Sequence, residues 1–145
     1  MLFRDAEEDD LNKLVKMVNK MYDELNYGVS FDEKWMLPRI KSKLFLTGVA
    51  ETEGYAAGFC TIKISPNEYG GSVNRQMGFL YELYIEPEYR KKGSARLLLS
   101  YMEGRLKDFG LDYIELYVRD DNRSGYNFWK DNGFSDKYIV MSKKL

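Results

Sequence analysis

The sequence predicts an α/β fold of the α+β kind, with a mixed, mostly antiparallel sheet and helices on both faces. Three observations carry this. The patterning runs β-α-α-β-β-β-α-β-α-β along the chain. Three strand patterns in succession over 45–85 require an antiparallel meander. The strand–helix–strand over 79–118 requires a parallel crossover. The 145 residues suit one domain over 1–145. At 44% hydrophobic and 15% aromatic residues, the chain is too apolar to stay disordered.

Residues 1–4 read as a short strand. Four acids follow at 7–10, and then Leu11, Leu14, Val15, Val18, Met21 and Leu25 recur at three- and four-residue spacing, one face of a helix. Acids suit a helix start, where the dipole favours negative charge, so the run has a structural account rather than marking an acidic binding site. Gly28 ends this helix. A second, shorter helix is expected over 31–44, with Asp32 as cap and Pro38 kinking it or delaying its start. Strands are expected over 45–51 and 55–65, split by a turn at 52–54. In the second, Cys60, Ile62 and Ile64 alternate with Phe59, Thr61 and Lys63, so one face is buried. Residues 66–78 carry proline, glycine, serine and asparagine, and read as a long polar loop.

FLYELYI at 79–85 is then a strand ended by Glu86 and Pro87. Residues 93–109 are expected to be helical, with Ala95, Leu98, Leu99, Met102, Leu106 and Phe109 on one face and Gly110 as the stop. YIELYV at 113–118 reads as a strand, 122–131 as a helix closed by Asn132 and Gly133, and Phe134 with 138–142 as the last strand.

Composition removes whole classes of chemistry. There is no histidine and one cysteine, so Ser-His and Cys-His nucleophile pairs, Cys/His zinc sites and internal disulfides are all excluded. A general base must be a carboxylate, a tyrosine, a lysine, a chain terminus or water. Cys60, within the apolar run GFCTI, reads as a buried structural thiol rather than a reactive one. Net charge is −1, which gives no global field for nucleic acid or membrane. No signal-like or membrane-spanning stretch is visible, and a cytoplasmic protein is expected.

The chemistry concentrates at EYRKKGSARLLL, 88–99. A strand runs into a turn that opens a helix. The first N–H groups of a helix lack internal partners and carry partial positive charge. Gly93 permits a backbone conformation or close approach that a side chain would obstruct, and Arg90, Lys91, Lys92 and Arg96 add full charges. This is a nest for phosphate or pyrophosphate. The plainer alternative is a solvated basic turn; the strand–turn–helix setting favours the anion. The spacing is neither a Walker loop nor the G-x-G-x-x-G fingerprint.

RKKGSA (90–95) resembles the [Q/R]-x-x-G-x-[G/A] acyl-CoA loop of the GNAT N-acetyltransferase superfamily, and its LYIEPEYRKKG setting is similar too. NRSGYNFWKDNGF (122–134) resembles that family's N-x-x-A-x-x-x-Y-x-x-x-G-F block, with Gly125 in the alanine place and Trp129 in the tyrosine place. The resemblance covers essentially the whole chain. It implies a GNAT-like sheet of six to seven strands whose fourth and fifth strands splay apart. It implies acetyl-CoA as co-substrate and no metal. Main-chain groups of Leu83, Tyr84 and Ile85 would line the pantetheine arm, and Arg90, Lys91, Lys92, Gly93, Ser94, Ala95 and Arg96 would hold the pyrophosphate. Asn122 and Trp129 would complete the cofactor site.

The implied reaction is direct acetyl transfer to an amine in a ternary complex, with a strand N–H stabilising the oxyanion. Two departures matter. Trp129 cannot act as the family's tyrosine acid, since an indole N–H only hydrogen-bonds; Tyr126 or Tyr117 would replace it, or the thiolate leaves unaided. Ser94 stands where a bulkier apolar residue is usual, which a loop of backbone contacts tolerates. Glu82 is the only carboxylate in FLYELYI and is the candidate base, beside Tyr81 and water relays; a structural role for Glu82 stays open.

The resemblance places the acceptor among the first two helices and the loop before the fourth strand. Tyr22, Tyr27 and Phe31, interleaved with Asp23, Glu24, Asp32 and Glu33, suit a cationic amine such as a polyamine, an aminoglycoside-like amine or a lysine side chain; a solvated helix end is the alternative. A homodimer is allowed by the resemblance. The rival readings are a non-catalytic acyl-CoA-binding regulatory module and a basic-loop RNA- or protein-binding domain.

Overall fold

The structure is a computed structural model, described here for residues 1–67 and 75–145. Its elements are β1 (Leu2–Asp5), α1 (Leu11–Glu24), α2 (Glu33–Lys41), β2 (Phe45–Thr52), β3 (Tyr55–Pro66), β4 (Gln76–Ile85), α3 (Ser94–Asp108), β5 (Ile114–Leu116) and α4 (Arg123–Asp131). The strands form one sheet in the order β1-β2-β3-β4-β5, antiparallel except for the parallel pair β4–β5. The meander and the crossover are therefore where the patterning puts them.

Each face of the sheet carries a core. Leu14, Met17, Val18 and Met36 of α1 and α2 pack on Val49, Phe59 and Tyr84. Leu98, Leu99, Met102 and Leu106 of α3 pack on Leu46, Cys60, Ile62, Leu80 and Ile85, with Phe128 and Trp129 of α4 at the margin. Strand alternation sends Phe59 one way and Cys60 the other.

One irregularity organises the site. Thr61 pairs with Glu82 but Ile62 pairs with Leu80, so Tyr81 is an extra residue in β4, a β-bulge. The bulge reverses the parity of the strand. Leu80, Leu83 and Ile85 face α3, while Glu82 and Tyr84 face α1. Without it Glu82 and Leu80 would share a face.

Several expectations need correction. Five strands form among the described residues, not six to seven. Residues 135–145 join no strand, so the expected last strand at 138–142 is absent. The strand expected over 113–118 is reduced to Ile114–Leu116, because β5 leaves β4 after Leu116. The expected loop over 66–78 is shorter, since β3 runs to Pro66 and β4 begins at Gln76; its residues 68–74 lie outside the described part. Gly78 reads as a loop residue but sits inside β4, where an added Cβ would lie 2.9 Å from both Ile62 and Leu106. Phe109 is 59% exposed rather than on the buried face of α3. The second helix spans Glu33–Lys41, not 31–44; it holds Pro38 within it, and Asp32 caps it by accepting from the Trp35 N–H at 3.0 Å.

Candidate active site at the fork of the sheet

β4 and β5 pair only at Gly78↔Ile114, Phe79↔Glu115 and Leu80↔Leu116. Beyond that they part, which is the splaying the sequence implied. The Glu86 N–H donates to the Ala57 carbonyl at 2.9 Å on the β3 side. Alternation then turns the main-chain groups of Tyr84 toward β3, and those of Leu83 and Ile85 into the gap. A cavity of about 590 Å³ fills the fork. It collects Tyr22 and Tyr27 from the α1 side, Tyr81, Leu83, Tyr84 and Ile85 from β4, and Arg90, Lys91, Gly93, Ser94, Ala95 and Arg96 from the following loop. Leu116, Tyr117, Asn122 and Trp129 close the far side. Of the remaining site residues expected from sequence, Glu82, Lys92, Phe31 and Tyr126 do not line it.

The loop at the cavity mouth is built from backbone. Lys91 and Gly93 both adopt left-handed φ values, 62° and 81°. Gly93 is the N-cap of the 15-residue α3, and no side chain caps the helix. The first helical bond is Leu97 N–H to Gly93 carbonyl, so the N–H groups of Ser94, Ala95 and Arg96 have no partner within the helix. An added Cβ on Gly93 meets only the Arg96 guanidinium, at 4.0 Å. Glycine is therefore required for its φ and not for space. Ser94 turns inward, its hydroxyl donating to the Tyr89 carbonyl at 3.3 Å. Lys92 folds back, its ammonium 3.4 Å from the Glu88 carbonyl.

Arg90 differs from its neighbours. Its Nε donates to the Ile85 carbonyl at 2.7 Å, its guanidinium grips Glu24 at 2.9 and 3.0 Å, and it lies over the Tyr84 ring at 5.1 Å. It fastens the loop to α1. Arg119 does the same from the β5 side, donating to the Leu25 carbonyl at 3.1 Å and covering Tyr27 at 4.9 Å. The two arginines and Glu24 frame the cavity mouth.

Behind the Tyr22 wall lies a buried cluster. The Tyr22 hydroxyl donates to Glu82 Oε1 at 3.1 Å, and Arg39 stands 3.6 Å from the same oxygen. Arg39 stacks on Trp35 at 3.5 Å, Trp35 on Phe31 at 3.9 Å, and Phe31 meets Tyr22 edge-on at 4.9 Å. The ring of contacts closes on itself. Glu82 is 1% exposed, and its Oε2 is buried without a hydrogen-bond partner. Burial pushes the Glu82 carboxyl above its ordinary range, although Arg39, Tyr22 and Thr61 all favour its charged form. Burial and the neighbouring Glu82 push the Tyr22 phenol up as well, so it stands as a proton donor at neutral pH.

Tyr81 sits on the bulge, 41% exposed, with its ring 5.3 Å from Phe79. Tyr126 points elsewhere, its hydroxyl donating to Asp136 at 3.0 Å. Tyr117 is 68% exposed at the fork and packs edge-on against Phe79 at 4.9 Å. Trp129 lines the cavity while packed between Phe128 and Phe134, at 4.9 and 5.3 Å. Asn122 caps α4, its Oδ1 accepting from the Gly125 N–H at 3.0 Å. Cys60 is fully buried and its thiol is pushed up, first by burial. Sequence reasoning missed Arg39 and Arg119. Arg39 had one legible sign, its place four residues after Trp35, on the same helix face.

The sequence matches the model of the acetyltransferase (GNAT) family over residues 11–134. The chain belongs to that family. An uncharacterized N-acetyltransferase of Methanocaldococcus jannaschii is 25% identical over 144 residues, covering 94% of this chain. This chain spans only 62% of that relative's length. A spermidine N(1)-acetyltransferase of Thermoplasma acidophilum is 23% identical, with 94% of this chain and 92% of the relative aligned. Among solved structures, a predicted acetyltransferase with acetyl-CoA from Clostridium acetobutylicum superposes with a TM-score of 0.82 over 99% of this chain and 96% of the other, at 18% identity. At that identity the likeness speaks for the fold.

Proposed function

We propose that this protein transfers the acetyl group of acetyl-CoA directly to a primary amine, as an N-acetyltransferase working through a ternary complex. The observation that carries the reading is the fork: one cavity joins uncapped helix N–H groups, two main-chain positions released from pairing, and a tyrosine backed by a buried carboxylate.

The chain fits the co-substrate in three places. The N–H groups of Ser94, Ala95 and Arg96, with the Lys91 and Arg96 charges, suit a pyrophosphate. Leu83 and Ile85 offer strand-like main-chain groups in the gap, though Arg90 already takes the Ile85 carbonyl. Trp129 and Leu116 give an apolar wall. Acetyl-CoA supplies the activated acetyl group.

The rest of the chemistry belongs to this chain. An amine in the cavity gives its proton to the Tyr22 oxygen as the Tyr22 hydroxyl proton moves to Glu82 Oε1. Glu82 thus acts as a base one residue removed, and its raised pKa makes it a stronger base than an exposed carboxylate. Arg39 holds that carboxylate in place. The Leu83 N–H, turned into the gap, is the donor for the developing oxyanion. Tyr117 is the phenol at the fork for protonating a leaving thiolate; Tyr126, engaged with Asp136, is not.

At the mouth Glu24 is already held by Arg90 and Tyr27 is covered by Arg119, which leaves Tyr81 as the open aromatic face for an acceptor, and a polyamine is the first amine to try. The test is release of free CoA thiol from acetyl-CoA across polyamines, amino acids, aminoglycosides and lysine peptides. Amine-dependent release supports the reading. Acetyl-CoA binding with no turnover on any acceptor replaces it with the acyl-CoA-binding module. No binding at all removes both.

A further inference from the structure

Arg39 and Glu82 form an ion pair that does not close. Arg39 Nη2 and Glu82 Oε1 stand 3.6 Å apart, beyond hydrogen-bonding distance. Each partner also keeps a buried polar atom without a hydrogen bond, Arg39 Nε and Glu82 Oε2. A spare donor and a spare acceptor of opposite charge gain by coming together when both are buried. Something holds these two apart.

Aromatic rings surround the guanidinium. Its carbon lies 3.5 Å from the Trp35 ring centre, 5.2 Å from Phe45 and 5.6 Å from Tyr81. The main chain is fixed as well, the Arg39 carbonyl accepting from the Thr47 hydroxyl at 2.8 Å. Rings from α2, β2 and β4 thus set both the place of the charge and its distance from the carboxylate. The side chains are 12% and 0% exposed, so water screens them little. Tyr22 faces Glu82 from α1 and Thr61 from β3, and Arg39 is the one charged group among the three. The Cys60 thiol packs on the α3 face and burial keeps it neutral.

That distance matters for the chemistry. With no cation near, a carboxylate so buried holds its own proton and accepts no other. Gripped by a bidentate arginine, it is stabilised as an anion and becomes a poor base. We propose that Arg39 is a positioning residue for acetyl transfer, and that the Trp35, Phe45 and Tyr81 rings keep its guanidinium at a stand-off from Glu82, near enough to favour the charged carboxylate and too far to occupy it. The inference rests on the Tyr22–Glu82 relay proposed above. Arg39 lines no part of the fork cavity, so it acts through Glu82.

Carboxyl ¹³C titration of Glu82 in the full chain, without substrates, reads the effect directly, and Glu82→Gln assigns the signal. Arg39→Met should move the midpoint to higher pH, and Arg39→Lys, which keeps the charge, should move it less. Trp35→Leu should move it to lower pH, as the freed guanidinium closes on Oε2. That fall should vanish when Arg39→Met is the background. The acid limb of kcat/KM should follow each midpoint while acetyl-CoA affinity is unchanged. Circular dichroism checks the fold, and Arg39→Gln serves where Arg39→Met does not fold. An unmoved midpoint in the folded neutral variant would overturn the proposal. So would a Trp35→Leu fall that survives without Arg39, the mark of water entering rather than of the guanidinium closing. Full activity in Glu82→Gln would instead remove the relay, and with it the role of Arg39 in transfer, whatever the midpoints do.

Discussion

Glu82 shows how one residue's environment sets both its chemistry and its effect on stability. Burial raises its pKa, so protons are bound more tightly folded than unfolded. Its contribution to stability is full below the ordinary glutamate range and is lost as pH rises through the folded value. Glu82→Gln removes that loss. Urea melts at stepped pH should show the variant gaining on wild type as pH climbs past about 4.5; parallel curves would place no shifted pKa at Glu82. In activity the same change should cost about 10²- to 10⁴-fold above the acid limb, less at low pH where the wild-type carboxylate is itself protonated, and should erase the Glu82 acid limb of the kcat/KM profile. Tyr22→Phe should fall comparably, and the double variant little further, because the two act as one relay. Additive losses in the double variant would separate them. At the loop, Gly93→Val forces a β-branched residue to φ 81°. Calorimetric titration should show acetyl-CoA affinity lost while circular dichroism stays native.

At the scale of elements, what could be read from sequence follows how local the determinants are. The α3 loop was legible because strand end, cations, glycine and helix pattern are contiguous over 85–99. Which face Glu82 takes was not, because the bulge at Tyr81 exists only as a register between β3 and β4. Arg39 likewise reaches Glu82 from a different element, and its pairing is a product of α2 packing on β2. The cavity walls beyond the two motifs, Glu24 with Arg90 and Leu25 with Arg119, join residues 66 and 94 positions apart. Gly78 was misread for a related reason: glycine signals a loop in sequence, but here it makes room for Leu106 of α3. Gly78→Val should therefore destabilise the domain by about 1–3 kcal/mol through overpacking at the β4–α3 contact. Chemical denaturation measures this, and a neutral result would mean that Ile62 and Leu106 have room to move. β5 was overestimated because YIELYV has strand composition throughout, while only Ile114–Leu116 pair with β4.

At the scale of the molecule, α1 is the brace between the two arms of the fork. Its C-terminal end meets Arg90 through Glu24 and Arg119 through Leu25 and Tyr27. Lys13 and Lys20 meanwhile reach Glu86, both at 3.1 Å, at the exit of β4. Burial acts upward on the Glu86 carboxyl, but the two lysines outweigh it and hold it below the usual glutamate range. Its stability contribution is thus present at neutral pH and lost as pH falls through the folded value. Among the described residues no strand fills the fork, and the main-chain groups of Leu83 face it, where a ligand with amide groups can pair. Such a ligand binds the folded chain alone, and linkage then stabilises the fold. With acetyl-CoA at 100 times its Kd the gain is about 2.7 kcal/mol. For a domain of this size that corresponds to a rise in Tm of about 5–10 °C. A thermal melt with acetyl-CoA, repeated with Gly93→Val, measures it. Wild type should shift and the variant should not. An equal shift in both would mean that the stabilising contacts lie outside the α3 loop, and would move the cofactor site elsewhere on the fold.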